Sequence, residues 1–290
     1  MEEKLPKVLD LVRSCTLCPR ECEVNRIENE LGVCQIGFNP VYSSANLHLG
    51  EEPPISGYQG SGTIFLTGCN LNCMFCQNYP ISQLRNGNII TVKILATLML
   101  DLQDRGAHNI NFVTPTHQNA AIYQALIIAY KKGLEIPLVY NSGGYESLKM
   151  LKLWDGIIDI YMPDSKYGND ESALKISNIK EYTKHNRLAL KEMQRQVGVL
   201  DIDDRGVARR GLLIRHLVLP GDLAGSREVF RFIAEEISKE TYISLMSQYF
   251  PAYKATGHKL LHRRVKRLEY DEAVEALEGY GLGNGWIQPI

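Results

Sequence analysis

The feature of this sequence that most constrains its fold is a regular alternation of strand-like and helix-like segments from residue 63 onwards. Short runs rich in β-branched and aromatic residues alternate with segments whose apolar residues recur every three or four positions. The predicted strands cover 63–66, 109–114, 136–140, 156–162, 212–219 and 242–246, and the predicted helices cover 92–105, 119–132, 145–154, 171–196, 227–238 and 270–278.

Six strands separated by helices predict an α/β fold with a parallel sheet and right-handed crossovers. The length fits a partial, open (β/α)6 TIM-like barrel better than a closed barrel of eight units, and functional groups in such folds lie at the carboxyl ends of the strands. A stretch rich in proline, glycine and serine, Glu51 to Gly62, precedes the first strand. We therefore expect a small cysteine-rich N-terminal module (1–50), a barrel core (51–255) and a C-terminal helical extension (256–290).

The charge and hydropathy of the chain exclude some classes of partner. The formal net charge is −1, so no basic field attracts nucleic acid, and no apolar run reaches the roughly 18 residues that a membrane span needs. The sequence begins Met1-Glu2-Glu3-Lys4 and continues into an amphipathic segment, unlike a signal peptide. We expect a cytoplasmic protein that binds neither nucleic acid nor a membrane.

The seven cysteines all lie between positions 15 and 76. An odd, front-loaded set without an export signal argues against a disulfide framework and favours bound metal. Cys69, Cys73 and Cys76 follow the first predicted strand with the spacing C-x3-C-x2-C. Three thiolates on so short a loop can bind three corners of a [4Fe–4S] cluster and leave one iron open. The alternative is a zinc loop completed by a distant fourth ligand.

The four remaining cysteines, Cys15, Cys18, Cys22 and Cys34, supply four thiolates within a short span. Four soft ligands predict a closed site that holds either structural zinc or a second [4Fe–4S] cluster, and the spacing does not choose between them. The iron–sulfur assembly that the downstream loop needs favours the cluster. The module would act as an electron relay, as a substrate-docking element, or only as a staple for a segment with few large apolar residues.

Three separate motifs resemble those of a known family. The loop from Cys69 to Asn78, with Phe75 before the last cysteine and Gln77-Asn78 after it, resembles the signature of the radical S-adenosylmethionine (SAM) superfamily. Its C-[HQ]-N continuation is similar to that of the pyruvate formate-lyase activating enzyme group. The segment 159–166 resembles that group's D-x-x-x-x-D-x-K, and 214–221 resembles its I-R-x-x-V-x-P-G. With the front C-x-L-C-P-R-x-C and the segment 113–117, the chain most resembles the activating-enzyme-related, activase-like branch.

The resemblance implies an oxidoreductase that uses a [4Fe–4S] cluster and SAM. Flavodoxin or ferredoxin would supply an electron, which would cleave SAM at the open iron into methionine and a 5′-deoxyadenosyl radical. The radical would remove a hydrogen atom from a substrate, with a glycyl residue of a partner enzyme as the first candidate. Peptide or small-molecule modification is the alternative activity. An iron–sulfur electron carrier or a zinc-stabilised binding protein is the non-enzyme alternative.

The resemblance also implies residues that contact SAM. Lys166 and Arg215 are cations at the ends of apolar strands and therefore need anionic partners. The resemblance implies that the SAM carboxylate is this partner, whereas the alternative is a structural pair with Asp164 or Asp159. Phe75 is expected to pack on the adenine, or else in the core under the loop. The initial cleavage needs no proton transfer, so no catalytic acid or base is predicted.

Two further loops are expected to contact SAM. After the second strand the superfamily usually has G-G-E, which holds the SAM amino group, but this sequence has Thr114-Pro115-Thr116-His117. Thr116 and His117 are candidates to accept from the ammonium, although a turn histidine satisfied by backbone is the alternative for His117. After the third strand, Asn141 and Gly143 are candidates to contact the ribose or the methionine part, the alternative being a plain turn.

Overall fold

The computed structural model describes residues 1–290 and consists of ten α-helices and ten strands, with short 3-10 turns between them. The helices are α1 Leu5–Arg13, α2 Pro53–Ser56, α3 Tyr79–Ser82, α4 Val92–Asp104, α5 Asn119–Lys131, α6 Leu148–Trp154, α7 Asp170–Ser177, α8 Tyr182–Val197, α9 Ser226–Glu236 and α10 Arg267–Gly279. The strands are β1 Val41–His48, β2 Ser61–Leu66, β3 Asn88–Ile89, β4 Ile110–Val113, β5 Leu138–Ser142, β6 Ile160–Pro163, β7 Asp201–Ile202, β8 Ala208–Leu217, β9 Tyr242–Met246 and β10 Gly285–Ile287.

The strands form one mostly parallel sheet in the order β10-β9-β8-β6-β5-β4-β2-β1-β3, with β7 paired to β8. The six predicted strands are β2, β4, β5, β6, β8 and β9, which pair with one another in parallel in the order of the sequence. The prediction of an α/β fold with a partial, open barrel is therefore confirmed. The sheet does not close, because β10 and β3 lie at its two ends.

Four strands and one helix break were not predicted, and two of these strands, β3 and β7, have only two residues each. β1 is antiparallel to β2, so the last part of the N-terminal segment belongs to the sheet. β10 adds a parallel strand beside β9. The single helix predicted over 171–196 is two helices, because Asn178 adopts a left-handed conformation (φ 52°) that ends α7.

Side chains that alternate along the strands divide the core into two clusters. The larger cluster fills the space between the sheet and the helices. The smaller cluster contains Ile55 together with inward-facing residues of β5, β6 and β8, including Val139, Met162 and Leu213. The segment around α2, expected to be a separator, is therefore packed inside the barrel, where the Ile55 carbonyl accepts from the Asn109 side chain at 2.8 Å.

The N-terminal helix α1 packs against α5 and α6 on the outside of the sheet. Val8 and Val12 are its buried residues, and they recur with the four-residue spacing of one helical face. This packing holds the cysteine-containing segment that follows α1 beside the barrel. None of the helices combines the length and the apolar character that crossing a bilayer requires.

Candidate functional site at the carboxyl ends of the strands

A cavity of about 720 Å³ lies at the carboxyl ends of the parallel strands. Seven of the residues predicted from the sequence line it, namely Cys69, Cys73, Cys76, Asn141, Gly143, Lys166 and Arg215. The three cysteines come from the loop after β2, and the other four come from the ends of β5, β6 and β8. Parallel strands with short connections bring these groups together because all their carboxyl ends meet at one edge.

Each of the three thiols on the loop has a hydrogen-bond partner. The Leu71 backbone N–H donates to Cys69 Sγ at 3.3 Å, and the Ser177 hydroxyl donates to Cys73 Sγ at 2.9 Å. Cys76 Sγ lies 3.1 Å from the Ser82 hydroxyl. Donors aimed at sulfur stabilise thiolates, which are the form that binds iron.

Burial opposes ionisation of the Cys69 and Cys73 thiols in the absence of a cation. It raises the pKa of Cys69 and raises that of Cys73 to about 11, although Lys166 opposes the shift at Cys73. Bound metal reverses this preference because ligation requires the deprotonated sulfur. Three thiols with sulfur-directed donors on one wall of a cavity fit a cluster held by three protein ligands.

The loop that carries the thiols is fixed to the end of α7. The Asn72 backbone N–H donates to the Ser177 carbonyl at 3.2 Å, and the Met74 N–H donates to the Ile176 carbonyl at 3.0 Å. The Asn70 side chain donates to the Tyr145 carbonyl at 2.9 Å, which attaches the loop to the segment after β5. The loop is therefore positioned by two neighbouring parts of the barrel.

Asp164 joins the two predicted cations across the cavity. Its carboxylate accepts from Lys166 Nζ and, at 2.9 Å, from Arg215 Nε. Burial alone would raise the pKa of Asp164, but Arg215 and Lys166 together hold it below its ordinary value. Of the structural partners considered from the sequence, Asp164 is therefore the one present, while Asp159 accepts from the Leu138 backbone N–H at 2.9 Å.

Sequence analysis missed Glu51, whose side chain is only 9% exposed and lines the same cavity. Its carboxylate lies 3.8 Å from Arg215 Nη1 and 3.5 Å from Asn141 Nδ2. Burial raises its pKa, and Arg215 opposes that shift. No local motif identifies Glu51, because its role depends on the chain crossing the barrel before β2.

Thr116 and His117 do not line the cavity. The Thr116 hydroxyl donates to Glu146 Oε1 at 2.7 Å, and His117 Nε2 lies 2.7 Å from the Thr67 carbonyl oxygen. Burial lowers the pKa of His117 to about 4, so it is neutral at ordinary pH. Val113 and Thr114 line the cavity in place of these two residues, and Thr114 has a φ of 61°. The part of this loop that lines the cavity is therefore its first two residues.

Phe75 is 5% exposed and is not among the residues that line the cavity. Its ring packs against Tyr249 at a centroid distance of 6.0 Å and an interplanar angle of 63°. This edge-to-face contact corresponds to core packing under the loop, the second of the two expectations for Phe75.

Cys15, Cys18, Cys22 and Cys34 surround a second, much smaller pocket. Cys15 and Cys18 are buried, whereas Cys22 and Cys34 are partly exposed. Nowhere in the chain do three His, Cys, Asp or Glu side chains lie close enough together to hold a single metal ion.

Comparison with known proteins defines the class first. Residues 63–233, more than half of the chain, match the family described as the Radical SAM superfamily. The chain therefore belongs to the radical SAM superfamily, and membership implies a [4Fe–4S] cluster and SAM. The matched region contains the three-cysteine loop and every strand of the barrel from β2 to β8.

Two proteins are similar to this chain over most of its length. The uncharacterized protein MJ0674 of Methanocaldococcus jannaschii is 33% identical over an alignment of 303 positions, which covers 97% of this chain and 82% of that protein. The uncharacterized protein MJ0808 of the same organism is 23% identical over 262 residues, which cover 83% of this chain and 72% of that protein.

Two solved structures share the fold. SuiB of Streptococcus suis bound to S-adenosylmethionine has a TM-score of 0.52 at 11% identity, covering 77% of this chain and 48% of its own. The FeFe-hydrogenase maturase HydG of Carboxydothermus hydrogenoformans has a TM-score of 0.52 at 14% identity, and the match covers 76% of this chain and 50% of HydG. This chain spans about half the length of these proteins.

Proposed function

We propose that this protein is a radical SAM enzyme of the activase-like branch that removes a hydrogen atom from a substrate held in the cavity. The observation that carries the proposal is that three thiols and an Asp164-linked pair of cations face one cavity at the carboxyl ends of the strands. When bound, the cluster and SAM supply an electron and a 5′-deoxyadenosyl radical, respectively. The chain supplies the binding geometry and the exclusion of water.

The residues around the cavity have distinct proposed roles. Cys69, Cys73 and Cys76 bind three irons and leave the fourth for SAM. Arg215 and Lys166 bind the SAM carboxylate, because they are the two cations that line the cavity, where Asp164 contacts both of them and Glu51 lies near Arg215. The backbone at Gly143, which lines the cavity, contacts SAM, and close packing requires glycine there because a Cβ would lie 2.5 Å from Leu71 Cδ1.

Asn141 is proposed to hold a hydroxyl of the SAM ribose. Its Oδ1 already accepts from Arg215 Nη2 at 2.7 Å, which fixes the amide and leaves its Nδ2 with only the distant Glu51 contact. Thr114, which lines the cavity, takes the place of the usual G-G-E contact to the SAM ammonium. We do not include Thr116 or His117 in the proposed site, because neither lines the cavity.

The proposed substrate is a glycyl residue of a partner enzyme. Peptide modification is the second candidate, since a structure of SuiB is described as bound to the precursor peptide SuiA and shares this fold. Flavodoxin or ferredoxin in the cytoplasm is the proposed reductant. In this proposal residues 51–255 perform the radical chemistry, residues 1–50 carry a second metal centre, and residues 256–290 complete the wall of the cavity.

Anaerobic cleavage of SAM tests the enzyme class. Reconstituted protein, incubated with dithionite and SAM, should form 5′-deoxyadenosine, measured by chromatography. The Cys73→Ala variant should form none, whereas Thr97→Ala, on an exposed face of α4, should match the wild type. Absence of 5′-deoxyadenosine from protein that carries its cluster would rule out the radical SAM activity and leave an electron carrier.

Paramagnetic resonance tests the substrate. Co-incubation with glycyl radical enzymes, SAM and a reductant should produce a glycyl radical signal on the partner. SAM cleavage without such a signal on any of these partners would favour peptide or small-molecule modification.

A further inference from the structure

The four front cysteines form a site that the cavity chemistry does not use. Their thiols line one small pocket beside the barrel. The Val33 backbone N–H donates to Cys22 Sγ at 3.5 Å. Four thiols on the wall of one pocket are the ligand set of a closed metal centre.

Two arginines on the wall of this pocket have donors without an acceptor. Arg20 Nη2 and Arg26 Nε are buried and make no hydrogen bond with the protein. Arg26 as a whole is only 3% exposed. The remaining Arg26 donors reach the His117 carbonyl at 2.6 Å and the Gly37 carbonyl at 2.7 Å, and Nη1 also lies 3.9 Å from Cys15 Sγ. Because an unpaired buried donor is costly, these two groups indicate an anionic acceptor inside the pocket.

The arrangement of the thiols distinguishes a cluster from a zinc ion. Zinc holds four thiolates about 2.3 Å from one centre, so their sulfurs converge on a point. A [4Fe–4S] cluster binds each thiolate at a different corner and adds sulfides that accept hydrogen bonds. Here no three of the thiols lie close enough together for one ion, and the donors of Arg20 and Arg26 are free beside them. Both features correspond to a cluster.

The pocket is separated from the three-cysteine loop by a single layer of chain. Asn70, which directly follows Cys69, lines the front pocket, and its carbonyl accepts from Arg20 Nε at 3.0 Å. The backbone before Cys69 is equally close, because a Cβ added at Gly68 would lie 3.1 Å from the Cys34 carbonyl oxygen. The positive φ of 83° and this contact together require glycine at position 68.

We propose that Cys15, Cys18, Cys22 and Cys34 hold a second [4Fe–4S] cluster, which passes one electron to the cluster at Cys69, Cys73 and Cys76. The electron enters from a low-potential one-electron donor protein at the partly exposed side of Cys22 and Cys34. It leaves past Asn70 and Cys69, so the front cluster is reduced once and oxidised once, and no bond or proton changes there. The relay role rests on the proposed function, but the presence of the second cluster does not.

Metal content tests the second cluster independently of activity. Anaerobically reconstituted wild type should contain about eight irons and eight sulfides per chain. The triple variant Cys69→Ala/Cys73→Ala/Cys76→Ala keeps the front site and should contain about four, with a reduced-cluster resonance that SAM does not alter. The variant Cys18→Ala/Cys34→Ala should also contain about four, and Leu31→Ser, exposed on the same segment, should contain about eight. One zinc per chain, or an iron-free triple variant, would overturn the proposal.

The reductant tests the relay. With flavodoxin and its reductase, Cys18→Ala/Cys34→Ala should form 5′-deoxyadenosine at least about tenfold more slowly than the wild type. With dithionite, which is small enough to reach the other cluster directly, the two rates should be similar. Equal rates with flavodoxin would overturn the relay. Should the wild type carry about eight irons but form no 5′-deoxyadenosine, the proposed function would fail while the second cluster stands.

Discussion

Asp164 shows at the scale of single residues how the site holds two cations before SAM binds. Its two carboxylate oxygens are shared between Lys166 and Arg215, all of them largely buried. Glu51 adds a second carboxylate 3.8 Å from Arg215 Nη1, so the carboxylate of SAM has to compete with protein carboxylates for this cation. Arg215 can also reach Asn141 because its planar fork presents several donors in fixed directions.

Arg215→Lys should weaken SAM binding. Lysine keeps the charge but cannot hold Asp164 and Asn141 at once, and a lost charged hydrogen bond costs about 1.5–3 kcal/mol. We therefore expect the Kd for SAM, measured by anaerobic calorimetry, to rise about tenfold or more. Arg231→Lys, in an exposed pair on α9, should leave the Kd unchanged. An unaltered Kd in Arg215→Lys would remove this residue from the proposed SAM site.

Glu146 should make folding stability depend on pH. Burial raises its pKa to about 7, although Thr116 and Tyr140 donate to it and oppose the shift. The folded state therefore favours the neutral carboxyl. Its contribution is fully present below the ordinary pKa of 4.5 and is lost as the pH rises through about 7. The loss amounts to roughly 3 kcal/mol.

The Glu146→Gln variant tests this linkage because it cannot ionise. Urea unfolding followed by fluorescence should show the free energy of unfolding falling more between pH 5 and pH 8 in the wild type than in the variant. Glu275→Gln, exposed on α10, should behave as the wild type. Identical pH profiles for Glu146→Gln and the wild type would show that Glu146 ionises normally in the folded state.

The loops that follow the strands hold one another in place because their backbones are in direct contact. After β5, Gly144 has a φ of 73°, and a Cβ there would lie 2.1 Å from the Asp164 carbonyl oxygen. Gly156 has a similar φ of 79°, but nothing lies within 4 Å of its Cβ position. The two glycines therefore separate the cost of a left-handed conformation from the cost of close packing.

Gly144→Ala should be clearly more destabilising than Gly156→Ala. The left-handed conformation alone costs about 1–2 kcal/mol, and a clash that moves the backbone adds about 1–3 kcal/mol. Thermal unfolding should give the larger decrease in Tm for Gly144→Ala, with weaker SAM binding because Asp164 moves. Equal decreases for the two variants would mean that the loop after β6 yields without cost.

The elements that the sequence revealed are those with a local signal. β2, β4, β5, β6, β8 and β9 were predicted because each is a short apolar run between turn residues. β1 was missed because its residues are half-exposed and largely polar, and β10 because it has three residues after a glycine-rich turn. The cysteines proposed as metal ligands have a recognisable spacing in the sequence, whereas Glu51 and Glu52 reach the barrel interior only through the tertiary path of the chain.

Across the whole molecule, the open barrel is tied together by the segment that precedes β2. Glu52 belongs to the connection between β1 and β2, near one end of the sheet. Its Oε2 accepts from Ser244 Oγ of β9 at 2.9 Å and from Trp286 Nε1 of β10 at 2.6 Å, near the other end. The buried Glu52 side chain, which accepts from two donors, thus connects the segment between β1 and β2 to β9 and β10, and the sheet does not pair β1 or β2 with either of these strands.

Glu52→Ala should loosen β9 and β10 without affecting the middle of the sheet. Losing the acceptor leaves two buried donors unpaired at about 1–3 kcal/mol each, so amide exchange over 242–246 and 285–287 should accelerate about tenfold to a hundredfold. Exchange over 110–113, measured by mass spectrometry, should stay unchanged, and Glu275→Ala should alter neither region. Uniform acceleration in all three segments would instead indicate global destabilisation, and unchanged protection in β10 would show that its pairing with β9 alone holds the open barrel together.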